Sequence, residues 1–263
     1  MKIGENRPVA LITGASGGIG AALAKEIAQD EYDLVLVSRN QILLEKIGQE
    51  LHDKYGISWV AIGADLSDPS QVDTLMKNLK GQLIEPELIV NNAGFGLAGP
   101  VATNDATIQL DSIQLNILTL SKMTLQFLPR LISQNRGGII NVGSVAGFFP
   151  GPNFAVYYAT KAYVQSFTIA LAHELKATNV NICVICPGTT QTGFHERAGM
   201  DRSGVARSGG AMTAEAVAKI GYAGYKKGRR VVVTGTLNRF IVFVTRFIPT
   251  SWVVSVVSRF NKT

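Results

Sequence analysis

Apolar runs of four or five residues alternate with segments whose apolar positions recur at helical spacing along most of the chain. The runs Val9–Thr13, Leu34–Ser38, Trp59–Ile62, Leu88–Asn91, Ile139–Val142, Ile182–Ile185 and Val231–Thr234 read as strands. Between them, helical periodicity marks Ala21–Gln29, Gln41–Tyr55, Ser70–Leu79, Ala106–Leu128, Ala155–Ala177 and Thr213–Tyr225. The strands are apolar throughout, as expected where a parallel sheet is covered on both faces. Right-handed crossovers then give an α/β, Rossmann-like, doubly wound fold, with a predominantly seven-stranded parallel sheet and helices on both faces.

No repeat or linker divides residues 1–236, which therefore read as one domain. Two segments break the alternation. Residues 187–212 are rich in Gly, Thr and Ser and follow the carboxyl end of a strand, where such sheets bind ligands. So long an irregular segment reads as a lid over a substrate. Residues 237–263 form an amphipathic helical extension.

The first strand runs into Thr13-Gly14-Ala15-Ser16-Gly17-Gly18-Ile19-Gly20 and then into an Ala-rich helix. Glycines allow a tight turn and close backbone approach, and a helix N-terminus offers N–H groups and partial positive charge. Strand, glycine turn and helix together make a pyrophosphate cradle. Further on stands Tyr157-Tyr158-Ala159-Thr160-Lys161, in which either tyrosine shares a helix face with the lysine.

These features occur in a sequence that resembles the short-chain dehydrogenase/reductase family over about residues 8–235. The likeness rests on the glycine turn, on Asn91-Asn92-Ala93-Gly94 after the fourth strand, and on Asn116 in the next long helix. It continues with Ser144 in Gly-Ser-Val-Ala-Gly, Tyr157-x-x-x-Lys161, and Pro187-Gly188-x-x-x-Thr192. The resemblance selects Tyr157 over Tyr158, which is left to pack or to line a pocket rim. It implies a proton relay of Tyr157, Lys161, Ser144 and Asn116. Tyr157 is then the acid/base, Ser144 holds the substrate oxygen, and Asn116 organises a water that reaches Lys161. A tyrosine pKa near 10 suits neutral chemistry poorly, and an ammonium beside it favours the phenolate. Lys161 is also expected to hold the nicotinamide ribose.

The same resemblance assigns Gly14, Ser16, Gly18, Ile19 and Gly20 to the pyrophosphate, Asp65 and Leu66 to the adenine, and Asn91, Ala93 and Gly94 to the adenosine ribose. Tyr157, Lys161, Pro187, Gly188, Thr190 and Thr192 are expected at the nicotinamide end, with Thr192 at the carboxamide. An acid ending the second strand would favour NAD. Here the strand ends Val37-Ser38-Arg39-Asn40, and Asp33 stands at its start. Ser38 and Arg39 suit a 2′-phosphate, so the expected cofactor is NADP. Phe95, Leu97, Phe148, Phe149, Phe154, Phe194 and Met200 fall in loops near the expected nicotinamide, which points to an apolar carbonyl or alcohol as substrate. His195 receives no role. The leading expectation is an NADP(H)-dependent reductase. Its rivals are a catalytically silent NADP sensor and a membrane-surface lipid or ketoacyl reductase.

With 263 residues, 46% hydrophobic, the chain has ample core for this fold. The net charge of +6 contains no run longer than Lys226-Lys227 and Arg229-Arg230, which argues against nucleic acid as a partner. Cys183 and Cys186 have C-x-x-C spacing, but on a strand their side chains point to opposite faces, so no metal is expected. Two thiols and no recognisable secretory segment suggest a reducing, cytoplasmic setting.

At the C-terminus, Pro249 separates an apolar piece, Arg239–Ile248, from a second helix carrying Trp252, Val253, Val256, Val257 and Phe260, with Ser251 as the expected N-cap. Arg246 interrupts any membrane span. Arg239, Arg246, Arg259 and Lys262 would suit anionic headgroups. A homodimer or homotetramer interface, or a cover over the substrate pocket, is preferred to membrane contact.

Overall fold

The computed structural model describes residues 3–194, 198–199 and 211–261. Met200, His195, Lys262 and most of the lid segment lie outside them. In chain order the first elements are β1 (Val9–Thr13), α1 (Gly18–Gln29), β2 (Asp33–Ser38), α2 (Gln41–Tyr55), β3 (Trp59–Gly63), α3 (Pro69–Gly81) and β4 (Leu88–Asn91). Then come α4 (Ala106–Ile113), α5 (Leu120–Gln134), β5 (Gly138–Val142), α6 (Ala155–Glu174) and β6 (Asn181–Cys186). The short strands β7 (Thr190–Gln191) and β8 (Met212–Thr213) precede α7 (Ala214–Lys226), β9 (Val231–Val233), α8 (Thr236–Thr245) and α9 (Thr250–Phe260).

Seven strands form one sheet in the order β3-β2-β1-β4-β5-β6-β9, and every pairing is parallel. Chain order reverses between β1 and β4, which opens a crevice at the carboxyl ends of those strands, the ligand position of such sheets. Alternate residues of the strands feed two apolar layers. One takes Ala10, Ile12, Leu34, Leu36 and Cys183 against α1, α2 and α7. The other takes Leu11, Val35, Val37, Ile139 and Ile182 against α3, α5 and α6. Cys183 and Cys186 accordingly fall in different clusters, with Cys186 beside Val164 and Leu120.

Helix starts follow local chemistry. Asn40 caps α2 by accepting from Leu43 N, Asp68 caps α3 from Ser70 N ahead of Pro69, and Asp105 caps α4 from Ile108 N. The long helix expected over Ala106–Leu128 is not continuous. Residues Gln114–Thr119 form a π turn between α4 and α5. Such insertions mark functional positions, and this one holds Asn116. The C-terminal pair also begins elsewhere than expected. α8 starts at Thr236, and α9 starts at Thr250 after Pro249 with no side-chain cap, so Ser251 lies inside its first turn. Pro249 itself occupies the cap position, and its carbonyl accepts from Trp252 N and Val253 N.

Both cysteines are free and buried, and burial pushes each thiol up to about 12. A water-soluble aromatic disulfide at pH 8 should therefore leave the native protein almost unlabelled and release two thiols once denaturant is added. Rapid labelling of the native protein would mean that β6 is open to solvent.

Candidate active site

The crevice at the switch point widens into a cavity of about 1070 Å³. Its lower half is backbone. Gly14 and Gly18 adopt left-handed φ values of 65° and 54°. A Cβ on Gly20 would sit 2.2 Å from Gly14 O, so only glycine lets α1 come this close to β1. α1 begins without a side-chain cap and without an acid in its first turn. Its N–H groups and dipole therefore face the cavity beside Ser16, Gly17 and Ile19. That arrangement fits a pyrophosphate. Asn92, quoted within the motif but not assigned a role from sequence, braces the turn by donating through Nδ2 to Thr13 O and Gly14 O, 2.9 and 3.1 Å away.

At the end of β2, Ser38 and exposed Arg39 border the cavity. Ser38 Oγ accepts from Asn40 N at 3.2 Å. Asp33 lies at the opposite end of the strand, where its carboxylate accepts from Gly4 N and Ser58 N. No acid stands at the carboxyl end of β2. Asp65 and Leu66 line the adjacent wall, with Asp65 Oδ1 accepting from Ser67 N and Oγ. Ala93, Gly94, Pro187, Gly188, Thr190 and Thr192 also reach the cavity.

Three of the sequence-predicted residues stand behind the wall instead. Gly20 is the contact glycine just described. Asn91 is buried inside the sheet, where its Nδ2 donates to Thr124 Oγ1 and Asn141 Oδ1. Asn116 spends its amide on structure. Its Oδ1 accepts from Phe95 N, and its Nδ2 donates to Phe95 O, Ser112 Oγ and Thr160 Oγ1.

Tyr157, Ser144 and Lys161 meet at one side of the cavity. Ser144 Oγ caps the short 3₁₀ turn Val145–Phe148 by accepting from Ala146 N, and it stands beside the Tyr157 hydroxyl, whose pKa it lowers. Ser144 thus serves the turn while lining the cavity beside Tyr157. Burial raises the Tyr157 pKa above its ordinary value, and Ser144 opposes that rise. Lys161 is 6% exposed, and its Nζ donates to Val142 O at 2.9 Å. Burial pushes its pKa down to about 8. Nζ lies 5.7 Å from the centre of the Tyr157 ring.

The remaining wall is apolar. Phe154 stacks on Tyr157 at 4.6 Å, and Phe194 sits 5.2 Å from the same ring. Phe95, Phe149 and Tyr158 join them, whereas Leu97 and Phe148 do not reach the cavity. Tyr158 packs beneath Gly151, where a Cβ would lie 2.4 Å from its ring, and it hydrogen bonds to Asn261. The largest group not named among the site residues lies on α8 and α9, for which a cover over the substrate pocket is one of the expectations. Ile241, Thr245, Ile248, Trp252, Val256 and Asn261 close the outer side of the cavity. Helical spacing showed an apolar face there but not what it faces. Among the described residues no cluster of metal-binding side chains is present.

A model of the short chain dehydrogenase family matches residues 8–203. An NADP-dependent 3-hydroxy acid dehydrogenase of Schizosaccharomyces pombe is 36% identical over 187 residues, covering 70% of this chain and 72% of that protein. A very-long-chain 3-oxoacyl-CoA reductase of Anas platyrhynchos is 33% identical over 184 residues, covering 68% of this chain and 58% of that one. Among solved structures, a short-chain dehydrogenase from Sphingobium yanoikuyae in complex with NADPH superposes with a TM-score of 0.81 at 29% identity, covering 91% of this chain and 93% of its own. One from Burkholderia phymatum in complex with NAD gives 0.82 at 26%, with 92% and 93% covered.

A buried ammonium costs stability. The Lys161 pKa falls from 10.5 unfolded to about 8 folded. The penalty is therefore fully present below pH 8 and fades as pH rises from 8 towards 10.5. At 1.36 kcal/mol per unit it reaches about 3 kcal/mol. Lys161→Met should raise the melting temperature by a few degrees at pH 7, and the gain should shrink near pH 10. A lower melting temperature at pH 7 would show that the Val142 hydrogen bond outweighs the desolvation.

Proposed function

The chain belongs to the short-chain dehydrogenase/reductase family, and from that footing we propose that it is an NADP(H)-dependent oxidoreductase reducing an apolar carbonyl compound to its alcohol. The observation that carries this reading is the meeting of Tyr157, Ser144 and Lys161 on one side of an aromatic-walled cavity whose other end is a phosphate cradle. The preference for NADP rests on Ser38 and Arg39 at the end of β2, and on Asp33 being engaged at the far end of that strand.

Ser16, Gly18 and Ile19 with Ser38 and Arg39 would hold NADPH along the crevice, where it would supply the hydride. The protein supplies the proton and the geometry. Tyr157 is neutral at pH 7, as tyrosine is in water, and burial reinforces this, so its hydroxyl carries the proton that a developing alkoxide needs. The Ser144 hydroxyl, on the same side of the cavity as Tyr157, holds the carbonyl oxygen next to that proton. The Lys161 ammonium favours the phenolate left after transfer. Asn116 completes the relay as a positioning residue, fixing the Phe95 backbone and Thr160 one residue before Lys161. The aromatic wall and the inward face of α8 and α9 exclude water and favour an apolar substrate.

A panel of aldehydes, ketones and ketoacyl thioesters, followed by NADPH absorbance, should reveal turnover of apolar members. Tyr157→Phe should lower it by about 10²-fold or more while leaving NADPH affinity intact, and Tyr158→Phe should keep most of it. Equal losses in the two folded variants would assign the wrong tyrosine.

Arg39→Asp should weaken NADP binding by about 1.5–3 kcal/mol. A wild type that already prefers NAD would refute the cofactor assignment. The ammonium form of Lys161 is the active one. Reduction at saturating NADPH should therefore hold steady at lower pH and decline as pH rises through about 8. A rate that climbs across that range would exclude the role given to Lys161.

A further inference from the structure

α8 and α9 have two faces with different surroundings. Inward, Val242, Val253 and Val257 are buried against the protein. Outward, Leu237, Phe240, Phe243, Phe247, Trp252 and Phe260 keep 58 to 74% of their surface exposed. Trp252 and Phe260 also border the cavity, so they stand on its rim. Leu237, Phe240, Phe243 and Phe247 do not border the cavity, so covering the pocket leaves these four unused. The outward face is an apolar, aromatic surface of a size that monomeric proteins seldom leave in water.

Charge identifies what fits it. After Glu215 the chain holds nine Lys or Arg and no Asp or Glu, while the first 215 residues hold 16 basic against 19 acidic side chains. The basic excess of the whole protein thus lies in its last 48 residues. On the helix pair itself Arg239, Arg246 and Arg259 are exposed. None of them belongs to an ion pair among the described residues. A second copy of the chain meeting this face through the same helices would bring three more arginines and no acid to neutralise them. An anionic bilayer is complementary on both counts, since aromatic side chains settle at headgroup depth and guanidinium groups pair with lipid phosphates. The two helices, ten and eleven residues long, are too short to span it.

We propose that the α8–α9 pair docks the protein flat on an anionic phospholipid surface, with the rim of the cavity turned towards the lipid. The inference does not depend on the reductase reading, because docking is read without turnover.

The test is co-sedimentation of the full chain with vesicles of phosphatidylglycerol in phosphatidylcholine, compared with phosphatidylcholine alone, with tryptophan emission recorded in parallel. The protein should sediment with the anionic vesicles, and its emission should shift to shorter wavelength as exposed Trp252 enters the interface. Retention should fall as salt is raised. The triple variant Arg239→Gln, Arg246→Gln, Arg259→Gln should bind about a hundredfold more weakly. Phe243→Ser with Phe247→Ser should abolish binding while leaving the melting temperature unchanged, since both rings are exposed. The inference is overturned by any of three results. These are no binding to anionic vesicles at low salt, binding that survives both sets of substitutions, or a wild-type dimer that the phenylalanine substitutions convert to monomer without any lipid binding.

Discussion

An ammonium group held away from water sets the plan of the site. Lys161 Nζ has one backbone carbonyl, Val142 O, as its hydrogen-bond partner and is otherwise enclosed. A charge in that position is tolerable only where neighbours hold it to one place. Gly94 leaves the space: a Cβ there would lie 3.4 Å from Nζ and 2.9 Å from Asn116 Oδ1. Asn116 stiffens the floor by pinning the Phe95 backbone from both sides. α6 sets the height, because Tyr157 stands one turn before Lys161 on the same helix. Ser144 comes from the neighbouring 3₁₀ turn, whose Val145 N bonds back to Pro187 O after β6. Strands β4, β5 and β6 therefore each contribute one side of the enclosure.

Much of this was legible because the signals are local. A buried parallel strand is an apolar run bounded by turn residues, and the predicted strand ends agree with the structure to within about one residue. The glycine turn was readable because its φ values admit little else. The π turn at Gln114–Thr119 was not readable. One extra residue in a helix hardly alters its apolar period, and what fixes it is the distant bond from Asn116 to Phe95. Asn91 shows the opposite failure. Its place in a motif implied a cofactor contact, yet the last residue of a strand points where the sheet's pleat sends it, and here that is towards Thr124 and Asn141. The outer wall was legible only in part. An amphipathic face announces that it packs but not against what, so a pocket cover and a subunit interface stood side by side as expectations for Ile241 and Val256.

The cavity joins two kinds of recognition. In the proposed reading, the cradle end, with its backbone N–H groups, glycines and one arginine, would read phosphate whatever the attached base or substrate. The other end, with a hydroxyl, a phenol and a lysine, would recognise an oxygen and little else. Selectivity is left to Phe95, Phe149, Phe154, Phe194 and the two C-terminal helices. Those helices are rooted in the active-site loops. A Cβ on Gly188 would meet the Asn238 amide at 2.3 Å, so the start of α8 rests directly on the loop that follows β6.

The far end of that wall is fastened as well. Asn261 Nδ2 donates to Pro152 O, 109 positions back along the chain, and the Asn261 side chain also meets Tyr158. This gives the molecule an order of assembly. Residues 13 to 94, which build the cradle, leave the ribosome long before residues 237 to 261, which build the wall. A contact of such separation forms only after the intervening sheet has brought its ends together. The α8–α9 wall is therefore the last part of the cavity to close, after the sheet on which it rests. A nascent or C-terminally clipped chain resembles a finished sheet whose aromatic chamber stands open on one side.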